Sequence, residues 1–212
     1  FFFFTDGKKM RAGTMGTIGC TSFFPSKNLG CFGDGGAIFT QDKSLDEKIK
    51  MIANHGQRIK YHHDVIGINS RLDTLQAAIL QVKLKYLDEY EKRRNEAAAF
   101  YDEHLSSLSF LEIPFRSSNS THVFHQYTVK TKGINRDQFK TYLESKGIPS
   151  MIYYPVPLHL QRAYTRPEYP AGLFKITEQL SKTVLSLPIH TEMMQEQLSY
   201  ICKTIKEYSS NA

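Results

Sequence analysis

Cysteine is scarce in this chain of 212 residues, and Cys20, Cys31 and Cys202 are odd in number with no Cys-x-x-Cys spacing. That pattern indicates neither a disulfide framework nor a zinc site, and it points to a reducing compartment. Long apolar runs are also lacking. Nothing approaches the roughly 20 residues of a membrane span, and no basic segment with a cleavable apolar core marks a secretory leader. The expected location is cytoplasmic, with no membrane partner. Neither sign of charge dominates: 27 Lys and Arg face 21 Asp and Glu, for a net charge of +6. The densest cluster, Lys92-Arg93-Arg94, lies between Glu91 and Glu96, so a solvated helix face is expected there and no nucleic-acid partner. A mild positive balance suits an anionic substrate. The hydrophobic fraction of 41% and charged fraction of 23% are those of an ordinary soluble globular protein. The length suffices for a proper core in one large domain or two small ones.

The most informative stretch is GTIGCTSFFPSKNLGCFGDGGAIFT, from Gly16 to Thr40. Two β-type runs, Ile18 to Phe24 and Gly36 to Thr40, flank a loop of turn formers that carries Lys27. A loop lysine is ordinarily a solvated charge. Here Pro25 fixes the backbone before it, and Gly30, Gly33, Gly35 and Gly36 permit close chain approach behind it. An amine held among Phe23, Phe24 and Phe32 in a connector between buried strands would be partly desolvated and suited to Schiff-base chemistry. The glycines follow neither dinucleotide nor Walker spacing and are read as turn geometry.

Phe1 to Phe4 suggests the stump of a buried strand, or an artefact of sequence determination, in a chain that begins inside a domain. Thr5 to Gly16 reads as a polar hairpin or loop turning at Asp6-Gly7. A helix is predicted over Ser44 to Ala53 with Ser44 as N-cap, followed by a long loop from Gln57 to Ile68 in which His62 and His63 are exposed. Ser70-Arg71-Leu72-Asp73 is a capping-box pattern, and the apolar spacing after it predicts one amphipathic helix from about Arg71 to Leu105. Asn69 and Arg71 then stand at the positive end of a helix dipole, a favourable place for an anion. The alternative is that they only cap and solubilise the helix. A change of texture at Ser106 to Thr121 divides residues 1–105 from 106–212. Beyond it, strands are predicted at Phe110 to Ile113, Val123 to Lys130, Ile148 to Tyr153 and Val184 to Leu187, with helices at Asn135 to Lys146, Gly172 to Thr183 and Glu192 to Tyr208. That order argues for helices layered on a sheet. His122 and His125, three apart on a strand, point to opposite faces, and no metal is expected. Pro155 and Pro157 stiffen the loop of Tyr153, Tyr154 and His159, where aromatic packing is the plain alternative to a functional role.

SFFPSKNLGCFGDGGAIFT, with HGQ at 55–57, GINSRLDTLQAAIL at 67–80 and YYPVPLHLQ at 153–161, resembles the DegT/DnrJ/StrS family of pyridoxal-phosphate-dependent nucleotide-sugar aminotransferases. The resemblance implies an α/β fold class: the end of a fold type I large domain over 1–105, with the lysine segment and long helix, and a smaller α+β domain over 106–212. It implies that Lys27 forms the Schiff base with pyridoxal 5'-phosphate, and that Ser22 donates to the cofactor phosphate. Asn69 is implied to reach the phosphate of the other protomer in a homodimer with shared active sites. By the same resemblance Arg71 is implied to approach the substrate, and Tyr153, Tyr154 and His159 to meet its sugar. A dehydratase-like branch has histidine in place of the lysine, so Lys27 favours transamination. The implied reaction moves nitrogen from a donor such as glutamate to a nucleotide-linked keto sugar, in amino-sugar and cell-surface polysaccharide biosynthesis. The family's aspartate for the pyridine nitrogen lies further upstream of the lysine than the 26 residues present here. The chain is therefore expected to be the carboxy-terminal part of a longer enzyme and to bind the cofactor weakly alone. Rival readings are a non-catalytic fragment, or a module for sugar-nucleotide binding or dimerisation.

Overall fold

The computed structural model describes residues 2–5 and 8–209. The chain divides into two compact units, Phe1–Glu91 with Arg116–Val123, and Lys92–Phe115 with Phe124–Ala212.

In the first unit, β1 (Phe2–Thr5) and β2 (Lys8–Arg11) pair antiparallel. This is not the buried strand suggested by the phenylalanine run. Phe4 is exposed, and the cationic groups of Lys9 and Arg11 lie 3.9 and 5.1 Å from the centre of the Phe2 ring. Phe1 and the predicted Asp6-Gly7 turn lie outside the described residues. The strands β3 (Gly19–Ser22) and β4 (Gly36–Phe39) form the hairpin whose connection carries Lys27. They are not the buried strands expected: only Gly19 of β3 is buried, and Ile38 of β4 is exposed.

Helix α1 (Lys43–Ala53) is capped by Asp42 and not by Ser44. The Asp42 carboxylate accepts from the Ser44 hydroxyl and from the Ser44 and Leu45 N–H groups, and the Ser44 hydroxyl does most to hold it below the usual carboxylate range. The predicted loop after it contains a short antiparallel pair, β5 (Gln57–Ile59) and β6 (His62–His63). The single long helix expected from Arg71 is two, α2 (Thr74–Leu84) and α3 (Leu87–Leu105). Lys83 and Lys85 suit a C-terminal helix end, and Asp88 and Glu89 suit a new N-terminus, so the dipole favours a break between them. Ser70 does not cap α2, which begins only at Thr74 with Asp73 in the N-cap position; the Ser70 N–H instead donates to the Ala53 carbonyl of α1.

In the second unit, β7 (Leu111–Glu112), β8 (Tyr127–Thr131) and β9 (Val184–Leu187) form an antiparallel sheet with β8 central. Its helices are the rest of α3, α4 (Arg136–Ser145), α5 (Lys175–Thr183) and α6 (Gln195–Ser209). Tyr101, Leu105, Tyr127, Phe139, Leu143, Leu185 and Ile205 are fully buried in one core. Each such side chain stabilises the unit by about 1.5–3 kcal/mol. The predicted strand at 148–153 is reduced to one bridge between Met151 and Ser186, since Pro149 and Pro155 cannot donate to a ladder. Two arginines satisfy buried carbonyls. Arg94 Nη1 donates to Phe124, His125 and Ile189, and Arg136 Nη1 to Ser181 and Val184.

Glu112 on β7 pairs with Lys130 and Lys132, and hydrogen bonds from these two ammonium groups hold its carboxyl down at about 2, against an ordinary 4.5. Its folded pKa is depressed, so the stability it contributes is whole above the unfolded value and lost as pH falls toward the folded one. Urea midpoints read by circular dichroism at about pH 5 and about pH 3 should therefore differ less for Glu112→Gln than for the parent chain.

Candidate active site

Phe23 closes the loop that presents Lys27. Its N–H donates to the Gly35 carbonyl at 2.7 Å, and its own carbonyl accepts from Cys31 N–H at 2.8 Å and from the buried Cys31 thiol at 3.0 Å. Inside the loop, Lys27 N–H donates to the Phe24 carbonyl at 2.8 Å, a β-turn with Pro25 at its favoured second position. Behind the turn, Gly30 passes so close that a Cβ there would lie 2.5 Å from the Pro25 carbonyl oxygen. Helix α2 holds the far side. Gln76 Oε1 accepts from Phe32 N–H at 2.8 Å, and Lys83 Nζ donates to the Gly30 carbonyl and lies 5.3 Å from the Phe32 ring centre. Asn28 Nδ2 donates to the Val123 carbonyl at 2.8 Å, while its buried Oδ1 has no hydrogen-bond partner among the described residues.

Lys27 is half-buried, and among the described residues its Nζ makes no hydrogen bond or ion pair. The aromatic enclosure expected around it is incomplete. Phe24 is 50% and Phe32 75% exposed, and the Phe32 ring faces Lys83 on α2. Ser22 is exposed and its Oγ accepts from Phe24 N–H at 3.2 Å, which leaves the hydroxyl proton available to an acceptor.

The HGQ and GINSR blocks interlock. His55 N–H donates to the Ile68 carbonyl, Asn54 and Asn69 form a bridge, and a Cβ on Gly67 would lie 2.0 Å from Gly56 N. Arg71 Nε donates to Asn69 Oδ1 at 2.9 Å, leaving Asn69 Nδ2 and the terminal guanidinium nitrogens as donors on two exposed side chains. Because α2 begins at Thr74, both precede its first turn, and the dipole argument for an anion at Asn69 does not hold: that field falls off within one turn.

Ser22, Lys27, Asn69 and Arg71 belong to the first unit, and Tyr153, Tyr154 and His159 to the second. Tyr153 and Tyr154 are exposed and line a groove of about 540 Å³ with Val156, Leu180 and Val184. His159 is different, with its side chain 8% exposed, its Nε2 3.1 Å from Glu178 Oε1 and its ring edge-on to Phe174. Burial pushes the Glu178 carboxyl up, but bonds from Gly172 N–H, His159 and Phe174 together hold it below the usual range.

Sequence reasoning missed Gln76, Lys83 and Glu178. The first two are seven apart, the spacing of one helix face, which was a usable signal; Glu178 had none. Among the described residues no cluster of three His, Cys, Asp or Glu could hold a metal, and no helix is long and apolar enough to cross a membrane. If the close packing behind Lys27 fixes the turn, Gly30→Ala should destabilise the chain by about 1–3 kcal/mol in urea titrations, with faster proteolysis between Phe23 and Gly35.

The sequence signature of the DegT/DnrJ/EryC1/StrS aminotransferase family matches residues 4–206. The chain is 44% identical over 194 residues to a UDP-N-acetyl-3-dehydro-alpha-D-glucosamine 3-aminotransferase of Acidithiobacillus ferrooxidans, covering 92% of this chain and 51% of that protein. The crystal structure of S. venezuelae DesV in complex with a ketimine intermediate is similar with a TM-score of 0.89 and 38% identity, over 97% of this chain and 54% of that one. NtdA of Bacillus subtilis, with bound cofactor PMP, is similar with a TM-score of 0.82 and 30% identity, over 92% and 46%. The chain spans about half the length of the curated relatives it matches. It carries the fold of pyridoxal-phosphate-type aminotransferases and belongs to the DegT/DnrJ/EryC1/StrS aminotransferase family.

Proposed function

We propose that this chain supplies the lysine segment and the sugar-side loop of a pyridoxal 5'-phosphate-dependent aminotransferase acting on a nucleotide-linked keto sugar. The observation that carries this reading is Lys27: a half-buried amine on a turn closed by four hydrogen bonds, with no partner for Nζ among the described residues. A half-buried primary amine on a closed turn, with no partner of its own among those residues, fits an aldehyde cofactor, whereas a structural lysine would be paired. The Acidithiobacillus relative acts on a UDP-linked 3-dehydro sugar, and a substrate of that class suits the chain's net charge of +6.

In this reading Lys27 attaches the cofactor, and the Ser22 hydroxyl and Asn69 Nδ2 donate to its phosphate. Asn69 would do so across a homodimer whose protomers share active sites. Arg71, which orients the Asn69 amide through its Nε, turns its terminal guanidinium toward substrate. The bound cofactor supplies the electron sink that an amino acid side chain cannot. Lys27 Nζ, once free, takes a proton from a substrate carbon and returns it to the acceptor carbon, as general base and then acid. An amino acid such as glutamate is the donor in a ping-pong cycle. Tyr153 and Tyr154 offer exposed aromatic faces to the sugar, from a loop that His159 braces. The setting is amino-sugar and cell-surface polysaccharide biosynthesis in the cytoplasm.

In the full-length enzyme, Lys27→Ala should lower kcat for transamination by roughly 10²- to 10⁴-fold or more, with circular dichroism unchanged. Turnover of that variant near the parent rate would reject the reading.

A further inference from the structure

Residues 152–173 contain four prolines, Pro155, Pro157, Pro167 and Pro170, and only one short 3₁₀ turn, Leu158–Leu160. The hydrogen bonds of Leu160, Gln161, Tyr164, Thr165, Tyr169 and Leu173 all stay inside the segment. Among the described residues, every hydrogen bond that leaves it goes to one side chain, Glu178 on the first turn of α5. His159 Nε2 lies 3.1 Å from Glu178 Oε1, and Gly172 N–H reaches Oε1 and Oε2 at 2.8 and 3.0 Å. The carboxylate thus fastens the segment at two points 13 residues apart in sequence, and Phe174 packs against both the His159 and Tyr169 rings.

Burial tells which member of this cluster can meet a ligand. With an 8% exposed side chain and Nε2 already bonded, His159 has little free surface, and further chain can only cover it more. Tyr153 and Tyr154, 38% and 72% exposed, are the groups the loop presents. We infer that Glu178 is the positioning residue of this loop, holding it through His159 and Gly172 so that Tyr153 and Tyr154 are presented to the sugar. Their contact with a sugar rests on the function proposed above, whereas the tether stands on the hydrogen bonds alone. A hydrogen bond to a charged group is strong enough for its loss to free the loop without unfolding the unit.

The test uses the full-length enzyme with Glu178→Ala, Glu178→Gln and His159→Ala, read by hydrogen exchange and by kinetics with varied nucleotide sugar and varied amino donor. Glu178→Ala should speed amide exchange in 152–173 about tenfold or more while β8, β9 and α6 stay protected. It should raise KM for the nucleotide sugar about tenfold, with kcat and the donor KM changed less than about twofold. Glu178→Gln keeps an oxygen acceptor and should recover part of both effects, and His159→Ala should loosen residues near 159 more than those near 172. Unchanged exchange in 152–173, or loosening spread evenly over β8, β9 and α6, overturns the tether. Equal rises in both KM values, or a loosened loop with neither changed, overturns the positioning role. If the parent enzyme turns over no nucleotide sugar, the proposed function fails, and exchange alone decides the tether.

Discussion

The backbone of one residue, Phe23, is the constraint on which the candidate site depends. Its N–H and carbonyl close both sides of the loop from Gly35 and Cys31, so a nine-residue excursion becomes a fixed platform with Lys27 near its tip. The platform then docks on α2 through Gln76 and Lys83, and α2 follows directly from the stretch that is interlocked with the end of α1. Three blocks that look unrelated in sequence, 22–40, 55–57 and 67–80, are therefore parts of one support for a single amine. Such support matters for chemistry because a reacting group must be held near its productive geometry before binding energy can be used.

The second unit solves a different problem with similar means. Its antiparallel sheet and four helical segments bury a continuous aromatic and aliphatic core. The polar carbonyls left at its edges are met by two buried guanidinium groups, Arg94 and Arg136. Arg94 holds the chain where Phe124 turns with φ +40, and at Ile189 just beyond β9. Burial pushes the Arg94 pKa down, yet a group with so high an intrinsic value remains a fivefold donor suited to several carbonyls at once. On this rigid body the proline-rich segment hangs from one carboxylate, which is why the most irregular stretch of the unit still has a defined course.

Much of this was legible in the chain. Turn formers around Lys27 located its loop, Asn135 and Gly147 marked the ends of α4, and the short strand expected at 184–187 is β9, which the structure buries along its whole length. Local patterns failed where a better or more distant partner won. Asp42 displaced Ser44 as a cap because a carboxylate accepts three bonds there, and Ser70 could not cap α2 because the helix starts four residues later, at Thr74, with Asp73 in the cap position. The helix break at residues 85–86 was hidden because apolar spacing continued through it while the charges changed sign. Glu178 was invisible for a plainer reason: its partners are a histidine and a glycine N–H brought back by a loop, and no spacing rule reports that.

The central claim is that the amine at position 27 is held ready for a carbonyl. The most direct test adds pyridoxal 5'-phosphate to the full-length protein, reduces with borohydride and maps the labelled peptide by mass. The account predicts one stable pyridoxyl group on the Nζ of Lys27 and an absorbance band that Lys27→Ala abolishes. A label scattered over surface lysines, or none on the peptide that carries Lys27, would contradict it.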